Sequence, residues 1–158
     1  MEYAKELTEL IETVIAEGAS DLHLTANRNP IIRVSGSLIP LVKRPVYTAD
    51  DVMGFLGALV SPEHKQEFLS NQELDFSYQY KDQGRVRGNA FIEQGTVAIA
   101  LRLIPKNIKT LEELNLPPIL ETFTQLEQGF FLVVGPVGQG KSTTLASMIE
   151  RINLNRTE

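Results

Sequence analysis

Nine consecutive residues carry the clearest chemistry in this chain: Gly135-Pro136-Val137-Gly138-Gln139-Gly140-Lys141-Ser142-Thr143. They fit G-x-x-x-x-G-K-[ST]. The apolar run Phe130 to Val134 before them and the helical pattern after them are the strand and helix between which a phosphate-binding loop is built. Gly135, Gly138 and Gly140 let the backbone take positive φ and approach a ligand closely, so that successive N–H groups converge on a β-phosphate. Lys141 adds a mobile positive charge between β- and γ-phosphates. Ser142 offers a hydroxyl to Mg2+, and the helix opening there aims the positive end of its dipole at the same anion. A Gly-rich turn that merely joins a strand to a helix is the alternative reading of the same nine residues.

The remaining residues must supply the elements that hold this loop. With 158 residues, 42% of them hydrophobic, the chain can build one core or one core and part of another. A net charge of −5, with no basic run longer than Lys43-Arg44, argues against a general nucleic-acid binder. The absence of cysteine rules out disulfides and thiolate metal sites. No apolar run approaches a membrane span and the first dozen residues are too charged for a signal peptide, so a cytoplasmic protein is expected.

In chain order, Tyr3, Leu7, Leu10, Ile11, Val14 and Ile15 recur at helical spacing, and Gly18 stands where a C-terminal cap belongs. Leu22 and Leu24 alternate with polar neighbours as in a half-buried strand. Asn27-Arg28-Asn29-Pro30 turns the chain, and Ile31 to Val34 and Leu38 to Val42 read as two short strands around Gly36. Thr48 to Asp51 resembles a capping box ahead of Val52, Phe55, Leu56 and Leu59, and Ser61-Pro62 starts a third helix. Leu74, Phe76, Tyr78 and Tyr80 alternate, as do Val86, Ala90 and Ile92, then Val97, Ile99, Leu101 and Leu103. With turns at Asp82-Gln83-Gly84 and Gln94-Gly95, these form an antiparallel three-stranded meander.

On the middle strand of that meander Arg85, Arg87 and Asn89 face away from Val86 and Ala90, and Arg102 lies on the strand that should pair with it. Residue types alone leave two readings, a solvated sheet face and a basic patch that contacts an anion. From Ile104 to Lys109 periodicity is lost at Pro105, which marks a domain boundary, with residues 105–110 as linker. Thr110 to Glu113 is a full capping box that predicts a short helix, interrupted at Pro117-Pro118, and Ile119, Leu120 and Phe123 predict a second helical turn or two. The strand of the phosphate-binding loop then begins at Gly129. Leu145, Met148, Ile149 and Ile152 form the stripe of the helix after it, which is expected to end near Asn153. A nearly all-apolar strand such as Phe130 to Val134 is typical of a sheet covered on both faces, which one or two helices cannot supply, so the second domain reads as truncated.

Taken together, Ala19-Ser20-Asp21-Leu22-His23-Leu24, Arg85-Val86-Arg87-Gly88-Asn89-Ala90-Phe91, Leu101-Arg102-Leu103-Ile104-Pro105 and Gly135 to Thr144 resemble, in this order, the secretion-type hexameric ATPases, in particular the twitching-motility retraction motors of type IV pili. The loop is shared with many nucleotide enzymes, whereas the Ala19 to Leu24 segment is specific to this group. The resemblance covers nearly the whole chain and implies an α/β protein: an α+β PAS-like N-terminal domain with an antiparallel sheet over residues 1–104, a linker, and from residue 111 the start of a RecA-like P-loop ATPase domain.

It further implies an ATP-hydrolysing motor that uses Mg2+ held by Ser142 and assembles as a homo-hexamer. Its expected partner is the inner-membrane platform of the pilus machinery, reached from the cytoplasm without insertion. By position Arg85, Arg87 and Arg102 match the arginines with which the family's N-terminal domain reaches nucleotide, which favours the anion-contacting reading of the patch. Only 18 residues precede the Ala19 to Leu24 segment, as in retraction motors. Extension and type II secretion ATPases, which usually carry a further N-terminal domain, are the alternative, as is a non-catalytic assembly module. An unrelated P-loop kinase or GTPase would place the loop near the chain start.

The chain departs from the family pattern at Val137 and Gln139, where Thr and Ser are usual and backbone matters more than side chain. Gly88 stands in place of a usual Val and is expected to weaken its strand. The catalytic glutamates, Asp box, acidic Walker B segment and His box of the family have no counterpart in these residues, so this chain alone is expected to be inactive. His23 reads as a structural strand histidine and His64 as a solvated one.

Overall fold

A computed structural model describes residues 2–81, 84–105, 108–136 and 138–155. The chain divides into two compact units, Met1–Lys106 and Asn107–Glu158.

The first unit contains three helices, α1 (Tyr3–Ala16), α2 (Ala49–Leu59) and α3 (Pro62–Asn71). Its six strands are β1 (Asp21–Thr25), β2 (Ile31–Val34), β3 (Ser37–Pro40), β4 (Glu73–Tyr80), β5 (Gly84–Glu93) and β6 (Thr96–Pro105), all antiparallel in the order β3-β2-β1-β6-β5-β4. Helix α1 ends at Gly18 (φ 61°), where the Gly18 N–H reaches Ile15 O and the Ala19 N–H reaches Val14 O, so the orphan carbonyls of the last turn are satisfied. The capping box of α2 is formed: Asp51 N–H donates to Thr48 Oγ1 and Thr48 N–H to Asp51 Oδ2. Ser61 caps α3 with Pro62 in its first turn. Two hairpins turn on Ser35-Gly36 and Gln94-Gly95, both residues of each pair at positive φ, the turn whose twist matches right-handed strands. The expected turn at Asp82-Gln83 lies outside the described residues.

The third strand is Ser37–Pro40 rather than Leu38 to Val42, because the turn takes only Ser35 and Gly36. Strand β6 keeps Ile104 and Pro105 in register with Arg85 and Gly84, so pairing carries past the point where side-chain periodicity stops.

Helices α1 and α2 bury Leu7, Leu10, Ile11, Val14, Val52, Phe55, Leu56 and Leu59 against one face of the sheet. Antiparallel register lines that face with Ile32, Leu22, Leu101, Gly88 and Phe76, directly opposed from β2 through β1, β6 and β5 to β4. Gly88 meets Phe76 here: a Cβ on Gly88 would lie 2.2 Å from the ring's Cζ. The aromatic ring therefore occupies the space the glycine leaves, which offsets the loss of packing expected of a strand glycine.

The second unit holds α4 (Ile119–Thr124) and α5 (Lys141–Asn155), which pack together and share an ion pair from Arg151 Nη2 to Glu121 Oε1 at 2.8 Å. The capping-box bonds between Thr110 and Glu113 are present, yet they close only a turn over residues 111–115 and open no helix there. Leu116 N–H returns to Leu111 O and Asn115 takes positive φ, and the prolines at 117 and 118 prevent propagation. Phe130 to Val134 is likewise not a strand. Among the described residues it has no ladder partner, and Phe130, Leu132 and Val134 are exposed. Along α5, Met148 is buried while Leu145 and Ile149 remain partly open to solvent, so only part of the expected stripe is covered.

Candidate functional site

In the second unit, the loop enters α5 as its sequence demands. Gly138 and Gly140 take φ of 82° and 79°, backbone that side-chain-bearing residues rarely adopt, and a Cβ at either would meet nothing within 4 Å. The surface above them is open. Lys141 is the first residue of α5, and its Nζ donates to Pro136 O at 2.5 Å, tethering the two ends of the loop. Thr144 N–H donates to Gly140 O, the first helical bond. Ser142 and Thr143 are exposed, and among the described residues the Ser142 hydroxyl has no hydrogen-bond partner. Gly135, Pro136 and Gln139 are exposed along the loop, and Val137 lies outside the described residues.

In the first unit, the basic residues form a cross-strand row on the sheet face opposite the helices. Register places Arg33, Asp21, Arg102, Arg87 and Ser77 side by side, from β2 through β1, β6 and β5 to β4. Arg85 belongs to the same face one step along, its Nε donating to Ser77 Oγ at 2.5 Å. The face forms a concavity of about 350 Å3 lined by Asp21, His23, Arg33, Asp75, Arg87 and Arg102 among others. Asp75 accepts from Asn89 Nδ2 at 3.2 Å.

Asp21 is the charge centre of this row. It is 6% exposed and takes Arg102 Nε on Oδ1 at 2.8 Å, and Arg33 Nε at 3.2 Å and the Ser20 hydroxyl at 2.8 Å on Oδ2. Burial alone would raise its pKa, but the hydrogen bonds from Ser20 and Arg102 and the charges of Arg102 and Arg33 outweigh it and hold the carboxyl below its ordinary value. Arg87 has no such partner: among the described residues no carboxylate pairs with it. Beside the row, His23 is half-buried and its Nε2 has no hydrogen-bond partner among the described residues. Burial pushes its pKa down against the pull of Asp21, with Arg33 and Arg102 adding to the effect, so the imidazole is neutral near pH 7.

Sequence reasoning brought Arg85, Arg87 and Arg102 to one face but passed over Asp21 and Arg33. The available signal was that Asp21 alternates with Leu22 and so must face away from the core. Which arginines it meets depends on register across β1, β2 and β6.

The family model described as type II/IV secretion system protein matches residues 2–158. The chain belongs to that family. Members similar to it include the type IV pilus ATPase PilU of Pseudomonas aeruginosa, 36% identical over 96% of this chain and 40% of PilU, and the type IV pilus retraction ATPase PilT of the same organism, 34% identical over 94% of this chain and 43% of PilT. The crystal structure of the pilus retraction motor PilT with bound ADP superposes with a TM-score of 0.72 at 37% identity, covering 96% of this chain and 43% of that one. This secretion-family chain thus spans less than half the length of these relatives. Its fold class is theirs, an α+β PAS-like N-terminal domain with an antiparallel sheet followed by the P-loop residues of a RecA-like domain. Among the described residues no helix is long and apolar enough to cross a membrane.

Proposed function

We propose that this chain supplies the phosphate-binding loop and the arginine-bearing sheet of an ATP-driven type IV pilus motor, and that the motor drives retraction. The observation that carries the reading is the loop itself: two glycines at positive φ open a 15-residue helix, with Lys141 at its first position and next to it a Ser142 hydroxyl that has no hydrogen-bond partner among the described residues. In this reading the backbone N–H groups from Gly138 to Lys141 cradle the β-phosphate. Lys141 exchanges the Pro136 carbonyl for phosphate oxygens, and Ser142 holds Mg2+. When bound, Mg2+ neutralises charge on the β- and γ-phosphates. Residues 1–104 form the N-terminal domain, 105–110 the linker and 111–158 the ATPase-domain residues. Arg85, Arg87 and Arg102 contact the nucleotide's anionic end within a homo-hexamer that engages the inner-membrane pilus platform from the cytoplasm.

Two measurements test this. Titration of the 158-residue chain with MgATP should give weak binding that Lys141→Ala reduces at least tenfold, and equal affinity of the two would refute the loop assignment. In cells, Lys141→Ala in the chromosomal protein should leave pili that extend but do not retract. Loss of pili altogether would assign the motor to extension instead.

A further inference from the structure

The row of charges across β2, β1, β6 and β5 assigns a task to Asp21. We propose that Asp21 is the positioning residue of the arginine patch: it clasps Arg102, and Arg33 behind it, so that Arg102 presents its outer guanidinium nitrogens beside Arg87 to one polyphosphate. The inference rests on the part of the proposed function that gives Arg102 and Arg87 an anion to contact.

Three observations carry it. Arg102 and Arg87 are direct cross-strand partners in an antiparallel pair, where side chains stand about 5 Å apart and like charges repel. The carboxylate that offsets this repulsion comes from the other side, from β1, and engages Arg102 through Nε, which leaves the terminal nitrogens without a partner among the described residues. Finally, the Arg102 side chain is 69% exposed while that of Asp21 is 8% exposed. A surface arginine ordinarily samples many rotamers. Here its inner nitrogen is anchored to a buried, doubly engaged carboxylate, so the fork is aimed before any ligand arrives and less conformational entropy is lost on binding. Arg33 is held by the same carboxylate and by its own bond from Nη1 to Gly36 O, so its charge is spent within the protein. Arg87 retains its own.

Charge and geometry oppose one another in the obvious variant. Asp21→Asn removes a negative charge from beside the site, which by itself tightens anion binding, while it loosens the clasp, which weakens it. Asp21→Glu keeps the charge and moves the carboxylate out by one methylene, so it isolates positioning. The full chain carrying Lys141→Ala, in which the loop contributes little, is titrated with tripolyphosphate, and Arg side-chain Nε–H exchange is followed by NMR. Asp21→Glu should weaken tripolyphosphate about five- to tenfold and speed exchange at Arg102 Nε–H. Combined with Arg102→Ala it should be no weaker than Arg102→Ala alone. A purely structural role would instead lower thermal stability with additive effects on affinity. Unchanged affinity in Asp21→Glu, additivity with Arg102→Ala, or an Arg102→Ala variant that binds tripolyphosphate like its parent would each overturn the proposal. None of these results bears on the loop, which is read separately from the effect of Lys141→Ala on MgATP.

Discussion

Gly88 offers the sharpest test of how this sheet is packed. Strand propensity alone says that Gly88→Ala should stabilise β5 by about 0.5–1 kcal/mol, since the backbone has the ordinary extended conformation and glycine loses the most entropy on folding. The structure says otherwise. A Cβ at this position would lie 2.2, 2.4 and 2.8 Å from Cζ, Cε2 and Cε1 of Phe76, whereas ordinary contact begins near 3.4 Å, so the ring would have to retreat by about 1.2 Å. Phe76 is only 8% exposed and belongs to the main core, so it cannot swing away freely. Overpacking of this kind costs about 1–3 kcal/mol and exceeds the gain in propensity, leaving a net loss of roughly 1–2 kcal/mol. For a unit of this size that is a fall in melting temperature of roughly 5–10 °C. Urea denaturation followed by circular dichroism would measure it, in a cycle with Phe76→Leu. Phe76→Leu alone should cost about 1–2 kcal/mol, and the double variant should cost less than the two singles added, by about 1 kcal/mol, because the smaller side chain makes room for the methyl. Additive effects, or a Gly88→Ala protein more stable than its parent, would refute the packing argument.

Tyr47 is fully buried and donates its hydroxyl to Glu6 Oε1 at 2.6 Å, beside the Arg44 guanidinium that also meets Glu6 and Glu9, so Tyr47→Phe should cost about 1–2 kcal/mol in the same denaturation assay. His23 has a folded-state pKa below its ordinary 6.5, so the unfolded chain takes up the proton first: its contribution to stability is complete above pH 6.5 and is lost on acidification towards the folded value. His23→Gln should flatten that part of the stability–pH curve. For Asp21, likewise lowered, the loss falls below its ordinary 3.8, and Asp21→Asn should remove it there; because the Asp21 charge holds the His23 pKa up, the same variant should also steepen the curve near pH 6. Amide hydrogen exchange should protect the paired residues Leu74 to Leu103 strongly and Phe130 to Val134 hardly at all, since the latter have no ladder bonds among the described residues; equal protection would mean that the apolar segment finds a partner strand in solution.

Features set by neighbours in the chain were legible without coordinates. Gly18 as the stop of α1, the Thr48–Asp51 box, Ser61-Pro62, the alternation that makes β4, β5 and β6 a meander, and the glycine spacing of the loop are all consequences of local backbone chemistry, complete within a few residues. Two local signals misled because they were necessary but not sufficient. The Thr110–Glu113 box forms its bonds, yet a helix also needs residues that can continue it, and two prolines follow. Phe130 to Val134 has strand composition, but a strand exists only as one side of a ladder. What tertiary structure alone decided is which residues oppose one another. Asp21 and Arg102 are 81 residues apart and meet because β1 lies between β2 and β6 in one particular register, and a slip of one residue would turn Asp21 into the core and Leu22 out of it. The sheet pairing thus converts four scattered arginines into a single charged face, and it sets Phe76 over a glycine that the sequence marks only as a weak point.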